Sequence, residues 1–478
     1  MDYKHGVETT RSTAAEDEVV TAQMNVQVVV GTAPINLLKD PSAAVNTLIC
    51  CNKASEIYEK LGTSTDYSYT LMQAAYAVKK FGVAPVIFIN VLDPSNVKHV
   101  TAVASQKFKV EDGVVEIPDQ GILLKTVIVS NNSETAESSD YVISFNDDGG
   151  VVITFMEGSK FKSLKEVDIA YTKLKPSGVT ASDIIGGEDE TGKLTGISLV
   201  HNVCLEFPDI VPGIILAPGF SENPAVAAAL ESVAELSGDI ANAEAIVDIE
   251  SSETKKKEDV GAAKEKLGVC SRWITACWPK VLAGGSIMSM SPFIASLLQR
   301  SCIDNNNFPV SPDNKDLGIE GTVLADGTKV LLKQKEANNY INQVGVVTAI
   351  SRKGWKAWGS NTTRYPMDAN KPNERFIKNV MFNNYIENLF KIEYMDSVGK
   401  NASIKLIQSV VENFNRELNA NVPAEFAGVK VVLDKTASDV QAGRFKFNIV
   451  YADYTPVEHI EAEFIWSAAV LNAAFEEV

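Results

Sequence analysis

The sequence predicts an α/β and α+β multidomain protein: a discontinuous α/β core, a small β domain inserted into it, and a C-terminal α+β domain. Three observations carry this. Residues 23–94 and 197–365 alternate β-branched apolar runs with amphipathic helical stretches, the pattern of a largely parallel sheet covered on both faces. Between them, residues 95–196 change texture to short alternating runs separated by turn residues, the mark of a small sandwich or barrel. From residue 366 to 478, helical stripes precede closing strands.

A length of 478 residues fits about three domains at roughly 150 residues each. With 45% hydrophobic and 22% charged residues, the chain is ordinary globular material. The net charge of −17 argues against nucleic acid, because phosphate binding runs on lysine and arginine clusters. No apolar run reaches the roughly 20 residues a membrane helix needs, so no membrane insertion is expected. The start, Met1-Asp-Tyr-Lys-His-Gly-Val-Glu, has no apolar h-region, so no secretory signal is expected. The six cysteines (Cys50, Cys51, Cys204, Cys270, Cys277, Cys302) are scattered and read as buried thiols.

Residues 1–22 are polar and aperiodic, an extended arm. Val26-Gln-Val-Val-Val-Gly-Thr-Ala-Pro34 is a strand stopped by glycine and proline, and Thr47-Leu-Ile-Cys-Cys51 a shorter one. Residues 55–61 and 69–81 are helical, with Leu71, Ala74, Ala75 and Val78 on one face and Gly82 at the C-terminal stop. Pro85-Val-Ile-Phe-Ile-Asn-Val91 is a fully apolar strand. In the insert, Asp112-Gly113 and Asp147-Asp-Gly-Gly150 are hairpin turns and not calcium loops. Val211-Pro-Gly-Ile-Ile-Leu-Ala-Pro-Gly219, a helix over 224–236 ended by Gly238, and Ala245-Ile-Val-Asp-Ile249 form a crossover with a parallel strand pair. Residues 273–278 add a strand, and Ser291 caps a helix with proline in its first turn. Residues 376–390 are helical, and Ile404, Ile407, Val411, Phe414 and Leu418 form one amphipathic stripe.

No reactive constellation stands out. There is no Gly-x-Gly-x-x-Gly, no phosphate loop, and Gly284-Gly285-Ser286 lacks the second glycine of a nucleophile elbow. The four histidines (His5, His99, His201, His459) stand away from zinc spacing, even with His201 close to Cys204. Glu461 and Glu463 share a strand face as glycosidase pairs can, but a solvated edge explains them better. No catalytic residue, metal or cofactor is expected, and a structural role is favoured over an α/β enzyme or a modular surface protein.

The end of the chain carries the strongest pattern. Phe445, Phe447, Ile449 and Tyr451 alternate with polar residues, Asp453-Tyr-Thr-Pro456 breaks the run, and Ile460, Ala462, Phe464 and Trp466 alternate again. A strand this close to a terminus needs a partner to order it.

Several blocks in a set order are similar to contractile tail sheath proteins of phages and of R-type, phage-tail-like bacteriocins. They are Gly6-Val-Glu with Val30-Gly-Thr-Ala-Pro34; Tyr69-Thr-Leu-x-x-Ala74 before Gly82; Phe308-Pro-Val-Ser-Pro-Asp-Asn-Lys315 with Leu317-Gly-Ile319; Gly345-Val-Val-Thr-Ala-Ile350 before Gly354-Trp-Lys-Ala-Trp-Gly359; and Arg375-Phe-Ile with the closing strands. The chain departs from the family's Asn-Arg-Thr run with Ser360-Asn-Thr-Thr-Arg364. The resemblance implies a non-enzymatic homo-oligomer of stacked hexameric rings, a helical sheath around a tail tube protein that also meets baseplate and tail-terminator proteins. It implies assembly in the bacterial cytoplasm into a virion tail or tail-like particle. It further implies strands exchanged between subunits to complete the C-terminal sheet. Under it, Met24, Val26, Val28 and Val30 and Ile460, Ala462, Phe464 and Trp466 are the expected linking strands, with Lys371, Arg375 and Lys378 gripping the tube.

Overall fold

The computed structural model describes residues 23–132, 134–235 and 241–476. The arm expected over 1–22 and the helix stop expected at Gly238 lie outside the described residues.

An eight-stranded sheet organises the chain, in the order Ile49–Cys51, Val86–Asn90, Gln23–Gly31, Ile210–Leu216, Glu244–Asp248, Ile274–Cys277, Val346–Ser351, Trp355–Trp358. The six inner strands are parallel, and an antiparallel strand closes each edge. Helices cover both faces: Thr70–Phe81 and Ser291–Asp304 pack together on one, and Pro224–Ala234 with Val260–Leu267 lie on the other. This double cover is why whole strands are apolar and buried, Val86–Asn90 and Ile210–Leu216 among them.

The first strand corrects an expectation. Met24, Val26, Val28 and Val30 are between 0 and 7% exposed, and their strand is paired in parallel on both sides within its own chain. Residues 27–30 lie inside their own sheet and 24–26 pair along one side with Ile210–Pro212, all of them buried, so this stretch completes its own chain's core and is not free to link a neighbour. A bulge at Asn25 (φ 59°) brings its backbone against the next strand, where a Cβ on Gly213 would lie 2.5 Å from the Asn25 Cα. Only glycine fits there.

Ser291 is also not the cap of its helix. Met290 holds that position, and the buried Asp248 carboxylate accepts from the Met290 and Ser291 amides at 3.0 and 2.9 Å. A carboxylate at the end of one strand thereby satisfies the orphan donors of a helix from elsewhere in the chain.

The β-rich insert has two small sheets: Val100–Lys109, Glu166–Leu174, Ile128–Asn131 and Glu134–Thr135 in one, and Val114–Ile117, Val151–Phe155 and Tyr141–Phe145 in the other. Its entry and exit strands pair with each other, and Val115, Ile117, Val129, Ile153, Phe161 and Ile169 fill a core of its own. Leu174, Val179 and Ile184, after the exit strand, pack instead into the core of the large sheet.

The C-terminal body is two helices, Ile377–Met395 and Ile404–Asn419, on a two-stranded antiparallel ribbon, Phe426–Leu433 with Phe447–Asp453. Phe308, Phe382, Phe414, Phe426 and Leu418 are its buried centre, with Phe382 and Phe426 edge to face at 4.9 Å.

Lys264 ties the segment after Gly359 to the large body. Its Nζ donates to the carbonyls of Val344 (2.7 Å), Thr363 (2.6 Å) and Tyr365 (3.0 Å), and burial pulls its pKa down to about 8. All three ammonium protons are used. Lys264→Met would leave three inward carbonyls unpaired, each costing about 1–3 kcal/mol. Urea unfolding should show a loss of at least about 2 kcal/mol, with the segment after Gly359 losing amide protection first.

Candidate assembly interface

The ribbon Phe426–Leu433/Phe447–Asp453 is the weak point of the C-terminal body. Two strands alone are marginal in water and need a third strand or a packed face. The helix Ile404–Asn419 supplies one face. It is capped by Ser403, whose hydroxyl accepts from the Leu406 amide, and it turns Val410, Phe414 and Leu418 inward. The outer edge of Phe447–Asp453 has no strand partner among the described residues, and Val450 on it is 63% exposed.

The chain then leaves the ribbon. The expected strand of Ile460, Ala462, Phe464 and Trp466 pairs with nothing here. Residues 454–467 form no regular structure, with Phe464 95% and Trp466 78% exposed. A helix, Ala468–Glu476, follows it, which strand periodicity did not reveal.

The root of this arm is held firmly. Lys378 Nζ donates to the Asp453 carboxylate and to the Tyr454 carbonyl, both at 2.8 Å, and Asn379 adds a 2.7 Å bond to the same carboxylate. Both charged side chains of that pair are about nine-tenths buried. Arg375 grips Glu458 with two bonds of 2.6 Å, reaches Asn361 at 2.9 Å, and lies over the rings of Tyr365 and Phe376. Arg375 and Lys378, two of the residues expected at the tube, are thus both paired with this chain's own acids. Lys371 is more than half exposed and pairs only with Asp368, three residues back. Arg364, at the departure from the family's run, also pairs with Asp368, while Thr363 is buried and bonds Ser271.

Two carboxyls meet where the helices face each other. Burial first, then the neighbouring Glu393, pushes Glu417 up to about 7.

A cleft of about 760 Å³ lies elsewhere, beyond the carboxyl ends of Ile210–Leu216 and Glu244–Asp248, where α/β enzymes bind ligands. Two of its acids are committed to structure. Glu222 pairs with Lys280. Burial opposes ionisation of Glu250, yet bonds from Glu253, Thr254 and Ser252 hold it at about 2. Among the described residues no group of three or more His, Cys, Asp and Glu could hold a metal, and no helix is long and apolar enough to cross a membrane.

No protein-family model matches the chain. A tail sheath protein of Burkholderia phage BcepMu is 23% identical over 478 residues, covering 97% of this chain and 96% of its own. A putative prophage major tail sheath protein of Pseudomonas aeruginosa is 24% identical over 314 residues, covering 62% of this chain and 76% of its own. Among solved structures, the contracted PVC sheath complex of an extracellular contractile injection system matches with a TM-score of 0.57 at 11% identity, over 98% of this chain and 99% of that one. The contracted helical sheath of the anti-feeding prophage matches at 0.54 and 12%, over 98% and 100%. The fold of the chain is that of contractile sheath proteins. Over 97% of its length the chain is similar to a phage tail sheath protein.

Asp453, Glu458 and Asn361 are the site residues that sequence reading missed. They lie 75, 83 and 14 residues from their partners, and no local pattern links them. Asp453→Ala should destabilise the C-terminal body by about 3 kcal/mol in urea unfolding, since it strands a buried ammonium. Glu458→Gln should leave the unfolding midpoint nearly unchanged yet speed amide exchange over 455–460 several-fold. Glu417 has a raised pKa in the folded state, so its ionisation costs stability as pH rises from about 4.5 through about 7. Glu417→Gln should therefore raise the melting temperature at pH 8 and leave it unchanged at pH 4.

Proposed function

We propose that this protein is the structural subunit of a contractile tail sheath, polymerising as stacked hexameric rings around a tail tube and contracting to drive that tube through a target envelope. It has no catalytic role in this reading. The single observation that carries it is the pairing of two incomplete parts in one chain: an open-edged two-stranded ribbon, and an unpartnered arm ending in exposed Phe464 and Trp466. Each is marginal alone and each is what the other lacks. Kinship along nearly the whole chain with a tail sheath protein supports the same reading.

The physics of the joint is strand addition. Residues 460–466 of one subunit would extend the ribbon of the next, each main-chain hydrogen bond contributing a net of about 0.5–1.5 kcal/mol. Phe464 and Trp466 would supply the large aromatic anchors that dominate interface energetics. Rooted by Lys378 and Arg375, the arm bends only beyond Glu458, so subunits rotate about a short tether while the added strand stays paired. The baseplate, terminator and tube are its partners in the tail, and Lys371 remains the exposed basic residue available to the tube.

Electron microscopy of concentrated protein should show striated tubular polymers. Removing residues 460–478, or substituting Phe464→Asp with Trp466→Asp, should leave a folded monomer that forms none. Ordered polymers from either variant would sink the reading. Lys371→Glu should lower the fraction of sheath assembled on tubes at 150 mM salt, with free sheath polymers unaffected; unchanged co-assembly would dismiss the tube contact.

A further inference from the structure

The terminal helix Ala468–Glu476 is unexplained by strand addition alone. Val470, Leu471 and Phe475 are 71, 49 and 75% exposed, and with Ala474 they recur at i, i+1, i+4 and i+5, one apolar face. The C-terminal body carries a matching recess. A cleft of about 300 Å³ opens where its two helices meet the loop before the second ribbon strand, walled by Phe390, Tyr394, Val398, Leu406, Ile407 and Phe445. Both surfaces are apolar, and both stand on opposite parts of the same proposed joint.

We propose that the terminal helix of one copy docks its apolar face into this cleft on a second copy, locking a donated strand that runs antiparallel to Phe447–Asp453. This rests on the strand-addition reading and adds to it a direction and a second contact.

Register supports the direction. The seven residues 460–466 match the seven of Phe447–Asp453, about 23 Å each at 3.3–3.4 Å per residue. Antiparallel pairing sets Trp466 level with Phe447, itself on the cleft wall, and the helix begins two residues later, beside the cleft. Parallel pairing would carry the helix to the Asp453 end instead. There the surface is built from Lys378, Arg375 and Glu458, with nothing for Phe475 to fill.

The occupant is a second copy because the chain's own arm is led away. The Arg375–Glu458 pair and a bond from Asn361 to Glu458 hold the arm beside the large body, where residues 457–460 line one cleft with Trp358 and Ser360. A tight return of the same arm along its own ribbon would have to break that grip.

The test uses two full-length variants, Leu471→Cys and Leu406→Cys, mixed before polymerisation and oxidised mildly. The mixture should give a disulfide-linked dimer on non-reducing gels, absent from either variant alone and from the wild-type chain with its native thiols. Normal polymers without that dimer overturn the docking. So does a doubly substituted chain that closes on itself as a monomer. As a second readout, Leu471→Asp with Phe475→Asp should raise the concentration needed for polymerisation at least tenfold with the monomer's melting temperature unchanged; an unmoved threshold also overturns it. Polymers from the Phe464→Asp/Trp466→Asp chain would instead remove the strand reading beneath it.

Discussion

The grip of Lys378 and Arg375 on Asp453 and Glu458 is the constraint on which the assembly geometry depends. An arm free from Asp453 onward could fold back as a hairpin and complete its own ribbon. The Arg375–Glu458 pair, with two bonds of 2.6 Å, holds the arm beside the large body and away from that return. The ribbon therefore stays open and the arm stays unsatisfied, and both conditions favour a neighbour over the chain itself.

Rigidity elsewhere serves this joint. The large sheet is buried on both faces, its first strand held on two sides, and Asp248 draws the helix Ser291–Asp304 onto the strand ends. Lys264 then fixes the segment after Gly359 that presents Asn361 and Tyr365 to Arg375. Force applied at the arm would pass through this chain of contacts into a body with few soft points. The insert, with its own core and paired entry and exit strands, stands apart from that path.

Electrostatics act at the other end of the scale. The excess of acids leaves the protein soluble at high concentration. Within the C-terminal body, the Glu417–Glu393 pair makes the helix contact respond to pH near neutrality. In the cleft beyond the strand ends, Glu222 and Glu250 are tied to their own neighbours.

The sequence by itself determined the layered α/β core, the change of texture in the insert and the amphipathic stripe over 404–418, because periodicity and turn chemistry are local signals. It also showed that 460–466 alternates like a strand with no partner nearby. Local pattern could not say which apolar strand is central: Val26, Val28 and Val30 read like a linker until pairing with neighbouring strands of the same chain placed them in the core. Nor could it tell that Arg375 and Lys378 face inward, since their acids lie 83 and 75 residues away and come together only when the ribbon folds against the helix. Periodicity reports which face of an element is apolar. What covers that face, and which charge meets which, is decided by packing over distances the sequence does not encode locally.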